Sequence, residues 1–413
     1  MLHSDVQNGS ISLMEQYLPL SNIRSYLKTH PWLTFRANFQ GQASPMLWMM
    51  LGECASKCDH IAGVPLRPAL AAELYKVYLA KGALATTAIE GNTLTEQEVR
   101  QHLDGKLQLS PSREYLAQEI DNIVAGCNSI YTELGLRKTP SLTADRIVEL
   151  NRSVLDKLTL EEGVKPGEIR RHNVTVGKYR GAPAEDCRYL LERLCEWLAS
   201  KDFQARAGIE IPFAILKAIL AHLYLAWIHP FGDGNGRTAR LVEFQILISS
   251  GVPAPSAHLL SNHYNQTRSE YYRQLDSASK SGGDVLPFIM YAVKGFVDQL
   301  RTQLEEIRSM QLDVTWRNYV HEMFRDKTGV TQNRRRHLAL DLSQLGRPVP
   351  LAKIPEISPR LASAYAKRTR TTVLRDVNAL LSSDLLVKEA SGYRAKKEVI
   401  AAFLPLRAQP KDE

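Results

Sequence analysis

The sequence predicts an all-α protein: a long helical body holding one short β-hairpin, then a smaller basic module in which a helix leads into a second hairpin. Three observations carry this. Apolar residues recur at three- and four-residue spacing between helix-capping residues along most of the 413-residue chain. Within the body, residues 173–176 alternate with period two beside Gly167, Gly177 and Gly181. Charge is divided between the two parts. Of 52 Lys and Arg and 44 Asp and Glu, 21 and 13 fall after residue 300, so the first 300 residues hold 31 of each and the +8 net charge belongs to the rest.

Residues 1–30 read as an irregular lead-in with a short helix near 21–29. Leu47, Met50, Leu51 and Ala55 sit at helical spacing within 45–82, and Pro65 and Pro68 divide that stretch in two. The second helix runs from about residue 69 to Glu90, through Leu74, Val77, Tyr78 and Leu84. Gly91-Asn92 stops it, since both residues adopt the left-handed conformation at low cost. Thr95 with Glu98 forms a capping box that opens the next helix. Further helices are expected at 112–135 and 143–158, a hairpin around 173–176, then helices at 185–200, 212–228, 238–249, 266–279 and 285–310.

Beyond about residue 313, short helices carry many arginines, including the run Arg334-Arg335-Arg336. The helix expected at 369–382 places Val373, Leu374, Val377, Leu380 and Leu381 on one face, with Lys367, Arg368, Arg370 and Arg375 at its start or on its other side. Residues 385–388 and 393–394 flank Ser391-Gly392 as a two-stranded wing, and helix plus wing resembles a winged helix-turn-helix. The basic excess suits contact with a polyanion such as DNA; a solvated or protein-facing surface stays open as the alternative.

With 44% hydrophobic and 23% charged residues, disordered and collagen-like chains are excluded. Cys54, Cys58, Cys127, Cys187 and Cys195 are odd in number and contain no CxxC pair, so they read as reduced, buried thiols and not as a disulfide framework or zinc site. Residues 1–10 are polar, with no basic region leading into an apolar run, and the expected location is cytoplasmic. Residues 211–231 are the most apolar stretch, but Lys217, His222 and His229 interrupt it. It is expected to be a buried core helix, not a membrane span.

The most informative string is His229-Pro-Phe-Gly-Asp-Gly-Asn-Gly-Arg-Thr-Ala-Arg240, between two helices. Gly232, Gly234 and Gly236 let backbone N–H groups converge, and such a nest at a helix N-terminus attracts phosphate. The string lacks the GK(S/T) ending of a Walker loop, and no βαβ pattern surrounds it. Arg237 and Arg240 can fork onto phosphates, and Asp233 can hold Mg²⁺ together with phosphate oxygens. The histidine has an ordinary pKa near neutrality and can take a proton from an attacking hydroxyl. His222, on the preceding apolar helix, reads as a core residue.

Every specified position matches HxFx(D/E)GNGRxxR, and on that string the sequence is identified as resembling the Fic (filamentation-induced-by-cAMP) family, closely over about residues 40–300. The resemblance implies a Fic-type helical core at 140–285, preceded by a helical region over 1–139 and followed by a linker helix over 286–312 and the basic winged-helix-like module over 313–413. It implies transfer of AMP from ATP to a Ser, Thr or Tyr hydroxyl of a target protein or of the chain itself. His229 would be the general base and Asp233 the Mg²⁺ ligand. Gly232, Gly234, Asn235, Gly236 and Arg237 would cradle phosphate, with Arg240 on the γ-phosphate. Thr86-Thr-Ala-Ile-Glu90-Gly91 resembles the family's inhibitory motif (S/T)xxxE(G/N), so the helix at about 69–91 would bring Glu90 onto Arg240. Val174, Val176, Gly177 and Lys178 resemble the flap that holds a target segment by strand addition. Asn265, Tyr271 and Tyr272 sit where relatives contact the adenine side of ATP. Two partners stay open, DNA through the basic module and a second copy of the chain. Two other functions do also: a DNA-binding regulator with the core as its sensor, and an enzyme that transfers another phosphate-containing group or removes AMP.

Overall fold

The computed structural model describes residues 24–36, 44–136, 141–177, 179–205 and 207–401. The first 23 residues of the lead-in expected over 1–30, and the flap residue Lys178, lie outside them. The chain divides into two units, Met1–Gln303 and Leu304–Glu413.

In the first unit, α1 (Ser25–Thr29) is followed by α2 (Pro45–Ala62) and α3 (Pro68–Ala88), both opened by a proline in the first turn, where its missing N–H costs nothing. Next come α4 (Glu96–Leu103), with the expected Thr95–Glu98 capping box, α5 (Glu114–Gly135) and α6 (Ala144–Val154), capped by Thr143. A hairpin of β1 (Thr175–Val176) and β2 (Tyr179–Arg180) pairs antiparallel, with Val176 opposite Tyr179. Then follow α7 (Cys187–Leu198), α8 (Glu210–Ile228), α9 (Asn235–Ser249), α10 (Leu259–Gln266), α11 (Arg268–Lys280) and α12 (Leu286–Met323), within which the unit boundary falls.

The antiparallel pair α8–α9 forms the centre; α2 and α7 pack on α8, and α3, α5 and α6 pack on α9. α8 is apolar on every side because it is surrounded: Ile215, Ile219, Leu220 and Leu223 have no exposed surface. By length and composition alone this helix is long and apolar enough to cross a membrane, despite the polar residues within it, yet 78% of that stretch is buried in the unit.

Several boundaries differ from expectation. α6 stops at Val154, four residues early. α9 begins at Asn235, three residues early, because Gly234 takes φ 74° and turns the chain into the helix. The helix expected at 266–279 is α11, Arg268–Lys280, while α10 ahead of it is unexpected, because Ser261, Asn262 and His263 mask the apolar spacing of Leu259, Leu260 and Tyr264. α12 continues past residue 310, since no glycine or proline lies between Gly295 and Gly329.

The second unit continues from α12 through α13 (Val330–Leu345), a 3₁₀ segment (Leu351–Glu356), α14 (Pro359–Tyr365) and α15 (Arg370–Ser382) to a hairpin of β3 (Leu386–Glu389) and β4 (Gly392–Ala395). Val349 adds a further bridge to Tyr393. Trp316, Val320, Leu338, Val377 and Leu380 form its core. Leu374, expected on the apolar face of α15, is 38% exposed, while Val373 and Val377 are buried. The arginine run is partly structural. Arg334 and Arg335 donate to the two carboxylate oxygens of buried Asp376 at 2.6 and 2.8 Å, and the Tyr365 hydroxyl adds a third donor at 3.1 Å. Asp376→Ala strands Arg334 in the interior and should destabilise this unit by about 3–5 kcal/mol, measured as a shift in the urea midpoint against wild type.

Candidate active site

α8 ends where His229 adopts φ 50°, a left-handed conformation unusual for a side chain with a Cβ. Arg170 holds this corner. Its Nε donates to the His229 carbonyl at 2.7 Å, its Nη1 to His172 O at 2.7 Å, and its Nη2 to the carbonyls of Ala182 and Ile228. The histidine is thereby tied to the base of the β1–β2 hairpin. Asn235 closes the following loop, exchanging hydrogen bonds with the backbone of Phe231 (2.9 and 3.0 Å). Asn151 of α6 bridges from outside, donating to Asp233 O (3.0 Å) and Thr238 Oγ1 (3.2 Å) and accepting from Gly167 N (2.9 Å).

The first helical bond of α9 runs from Thr238 N to Gly234 O. The N–H groups of Asn235, Gly236 and Arg237 therefore have no partner within the helix, and no side chain caps them. This is an anion cradle with the positive end of the helix dipole behind it. The three glycines differ in what they face. A Cβ on Gly232 would strike Val164, and one on Gly234 would crowd Leu155 and Asn151. Only Gly236 faces the cradle among these three: a Cβ there would fall 2.0 Å from Glu90 Oε1 and 3.1 Å from Arg240 Nη1. The missing side chain of Gly232 accommodates the 164 segment.

A carboxylate lies against the cradle. Helix α3 ends at Ala88, two residues short of the expected end, and a turn presents Glu90. Arg240 Nη2 donates to Glu90 Oε1 at 2.5 Å and to Thr86 O at 2.8 Å. Arg240 is almost fully buried, and its Nε and Nη1 have no partner among the described residues. Burial opposes ionisation of Glu90, but Arg240, Arg237 and His229 together hold its carboxyl below the ordinary range. The turn is also held from α11, where Arg268 Nη1 and Tyr272 Oη donate to the carbonyls of Ala88 and Ile89 at 3.3 Å.

Arg237 is buried between two carboxylates, Glu119 Oε1 at 2.6 Å and Asp233 Oδ1 at 3.0 Å, and its Nε has no partner among the described residues. Asp233 is 46% exposed at its side chain and also accepts from Gly234 N. One half-exposed carboxylate beside unpaired arginine donors fits Mg²⁺, which takes most of its oxygens from phosphate and water.

Glu90, His229, Gly236, Tyr271, Tyr272 and Leu275 line a cavity of about 560 Å³ together with Val176, Gly177 and Tyr179 of the hairpin. Tyr271 is buried, with its hydroxyl 2.8 Å from His222 Nε2, while Tyr272 is 44% exposed. His222 is fully buried, as a core residue should be, yet it also lines this cavity. Asn265 lies on α10 and Val174 ahead of β1, and neither is among the described residues lining the cavity. Sequence reasoning missed Arg170, Asn151 and Glu119. The available signal was slight: Asn151 interrupts the apolar face of an amphipathic helix, and nothing in the spacing of Arg170 or Glu119 announces their partners.

The helical fold with small hairpins thus brings a histidine beside an arginine-backed cradle at a helix N-terminus. Residues 141–247 match the Fic/DOC family. The chain is 33% identical over 212 residues to protein adenylyltransferase fic-1 of Caenorhabditis briggsae, covering 51% of this chain and 38% of that protein. It is 30% identical over 249 residues to protein adenylyltransferase Fic of Nematostella vectensis, covering 59% and 53%. Among solved structures, Fic-1 (residues 134–508) of C. elegans superposes with a TM-score of 0.53 at 27% identity, over 64% of this chain and 74% of that one. A Fic family protein from Desulfovibrio desulfuricans G20 also reaches 0.53, at 19% identity over 86% and 97%, which bears on the fold alone. The matched segment is a Fic/DOC family domain, and the chain is related to protein adenylyltransferases at about 30% identity. It spans about half or less of the length of these curated relatives.

Burial pushes the His229 imidazole down to about 4, with Arg170 adding to the shift; a hydrogen bond to the Ala226 backbone and the charges of Glu90 and Asp233 oppose it. The ring is therefore neutral and able to accept a proton at pH 7. Because the unfolded chain protonates near 6.5 and the folded one near 4, the unfolded state binds the extra proton between those values. An NMR titration should place the His229 midpoint about two pH units below a free histidine, and His229→Ala should flatten the loss of stability as pH falls from 6.5 towards 4.

Proposed function

We propose that the chain is an autoinhibited protein adenylyltransferase, transferring AMP from ATP to a hydroxyl of a target protein or of itself. One observation carries this reading: the carboxylate of Glu90 lies against Gly236 and Arg240, where an anionic phosphate would meet the same unpaired donors. Neutral His229 takes the proton from the acceptor hydroxyl as its oxygen attacks the α-phosphorus; the bond to the bridging oxygen breaks and pyrophosphate leaves. The N–H groups of residues 235–237 and the Arg237 guanidinium stabilise charge growing on the phosphate oxygens. Asp233 would hold Mg²⁺, whose chemistry is neutralisation of the polyphosphate. Arg240 takes the terminal phosphate once Glu90 releases it. The hairpin wall, with Val176 exposed, supports docking of an extended target segment by strand addition. The cysteine usage supports a cytoplasmic setting.

A charge-assisted pair of this kind sustains coupling of about 1–3 kcal/mol, or about 5–150-fold in activity. Glu90→Gly protein incubated with ATP and Mg²⁺ should gain the mass of one AMP per modified hydroxyl, at a rate higher than wild type by about that factor. Adding His229→Ala should abolish the gain. Equal rates for wild type and Glu90→Gly would remove the inhibitory role, and an adduct of another mass would change the transferred group.

A second reading concerns the C-terminal unit, which we propose acts as a winged helix on DNA. Arg334 and Arg335 are committed to Asp376, but Lys367, Arg368, Arg370 and Arg375 are all exposed at and along the start of α15. Full-length protein should bind duplex DNA with an affinity that falls steeply with salt, and Arg370→Glu/Arg375→Glu should reduce both the affinity and the salt slope. Absence of binding at low salt would overturn this reading.

A further inference from the structure

The turn that presents Glu90 reaches the phosphate cradle a second time. Two residues on, the buried Asn92 amide donates to Glu119 Oε2 at 2.9 Å and to Leu116 O at 2.9 Å, while its own oxygen accepts from Leu94 N at 3.0 Å. The other oxygen of Glu119 holds Arg237 Nη1 at 2.6 Å. One short turn is thus joined to both motif arginines, directly to Arg240 through Glu90 and to Arg237 through Asn92 and Glu119.

The charge arrangement makes Glu119 more than a packing residue. Arg237 has two carboxylate partners, Glu119 and Asp233. If Glu119 is removed, Asp233 is the one described carboxylate left to Arg237, and the guanidinium then competes with a cation for the same oxygens. A buried charge pair is a poor way to gain stability alone, because apolar side chains of like size do as well.

We propose that Glu119 is a positioning residue: it holds Nη1 of Arg237, so that the guanidinium bonds Asp233 only through Nη2 at Oδ1 and the other Asp233 oxygen stays available to Mg²⁺, and with Asn92 it links the inhibitory turn to Arg237. This deepens the transferase reading and rests on it for the roles of Arg237 and Asp233.

The test is calorimetric titration of full-length protein with ATP at a series of Mg²⁺ concentrations, so that binding is read without turnover. The proteins are Glu90→Gly alone and the same protein carrying Glu119→Gln, Asn92→Ala or both, with unfolding midpoints measured alongside. Glu119→Gln should weaken ATP binding by about tenfold and raise the Mg²⁺ needed for half-maximal binding by a similar factor. Asn92→Ala should have a smaller effect in the same direction, and the combination should be no worse than Glu119→Gln alone, as expected for residues acting in series. Unchanged ATP affinity and Mg²⁺ dependence in a folded Glu119→Gln protein overturn the proposal. If that variant fails to fold, Asn92→Ala, which leaves every charge in place, decides: an unchanged Mg²⁺ dependence overturns the proposal there. Glu90→Gly protein that binds no ATP overturns the nucleotide reading and this proposal with it. Glu90→Gly protein that binds ATP but transfers nothing overturns the transferase reading alone, and the binding titrations still decide the role of Glu119.

Discussion

The contact between Glu90 and Arg240 over the bare Cα of Gly236 is the constraint on which the rest of the site depends. A carboxylate at the N-terminus of a helix is stabilised by unpaired N–H groups and by the helix dipole. Here it also meets a buried guanidinium with two donor atoms lacking partners. Those are the features that attract phosphate. Under the proposed function, the carboxylate of Glu90 therefore sits where a phosphate would meet the same donors.

Seating depends on neighbours that take no part in the ion pair. Helix α3 ends early because the backbone bonds of Glu90, Gly91 and Asn92 return to Thr87 and Ala88, which swings Glu90 towards α9. Arg268 and Tyr272 occupy the carbonyls freed at that helix end, and Asn92 anchors the far side of the turn to α5. Tyr272 also lines the cavity, so the cavity and the turn that presents Glu90 share a residue.

The histidine is prepared separately. Its left-handed backbone is held by Arg170, which spends its donors on four carbonyls of the hairpin base and the helix corner. The same arginine lowers the pKa of the imidazole by its charge, so one buried residue fixes the position of His229 and favours its neutral form. His229 and Arg240 are thus held by different elements, the hairpin corner and the α3 turn.

What could be read from sequence was whatever depends on local chemistry. Helical periodicity, the Thr95–Glu98 cap, the hairpin at 175–180 and the identities of the residues from His229 to Arg240 all express short-range rules, and so did the pairing of Glu90 with Arg240 once a family pattern was available. Boundaries failed where tertiary packing overrode local signals, as with α10, whose polar residues hide a buried face, and α12, which nothing local terminates. The sharing of labour among the three glycines, the burial of Arg334 and Arg335 on Asp376, and the Asn92–Glu119–Arg237 chain were decided only in three dimensions. Each joins residues distant in sequence through a single polar contact, and the energy of such a contact comes from the low-dielectric surroundings supplied by the folded chain, which no linear spacing encodes.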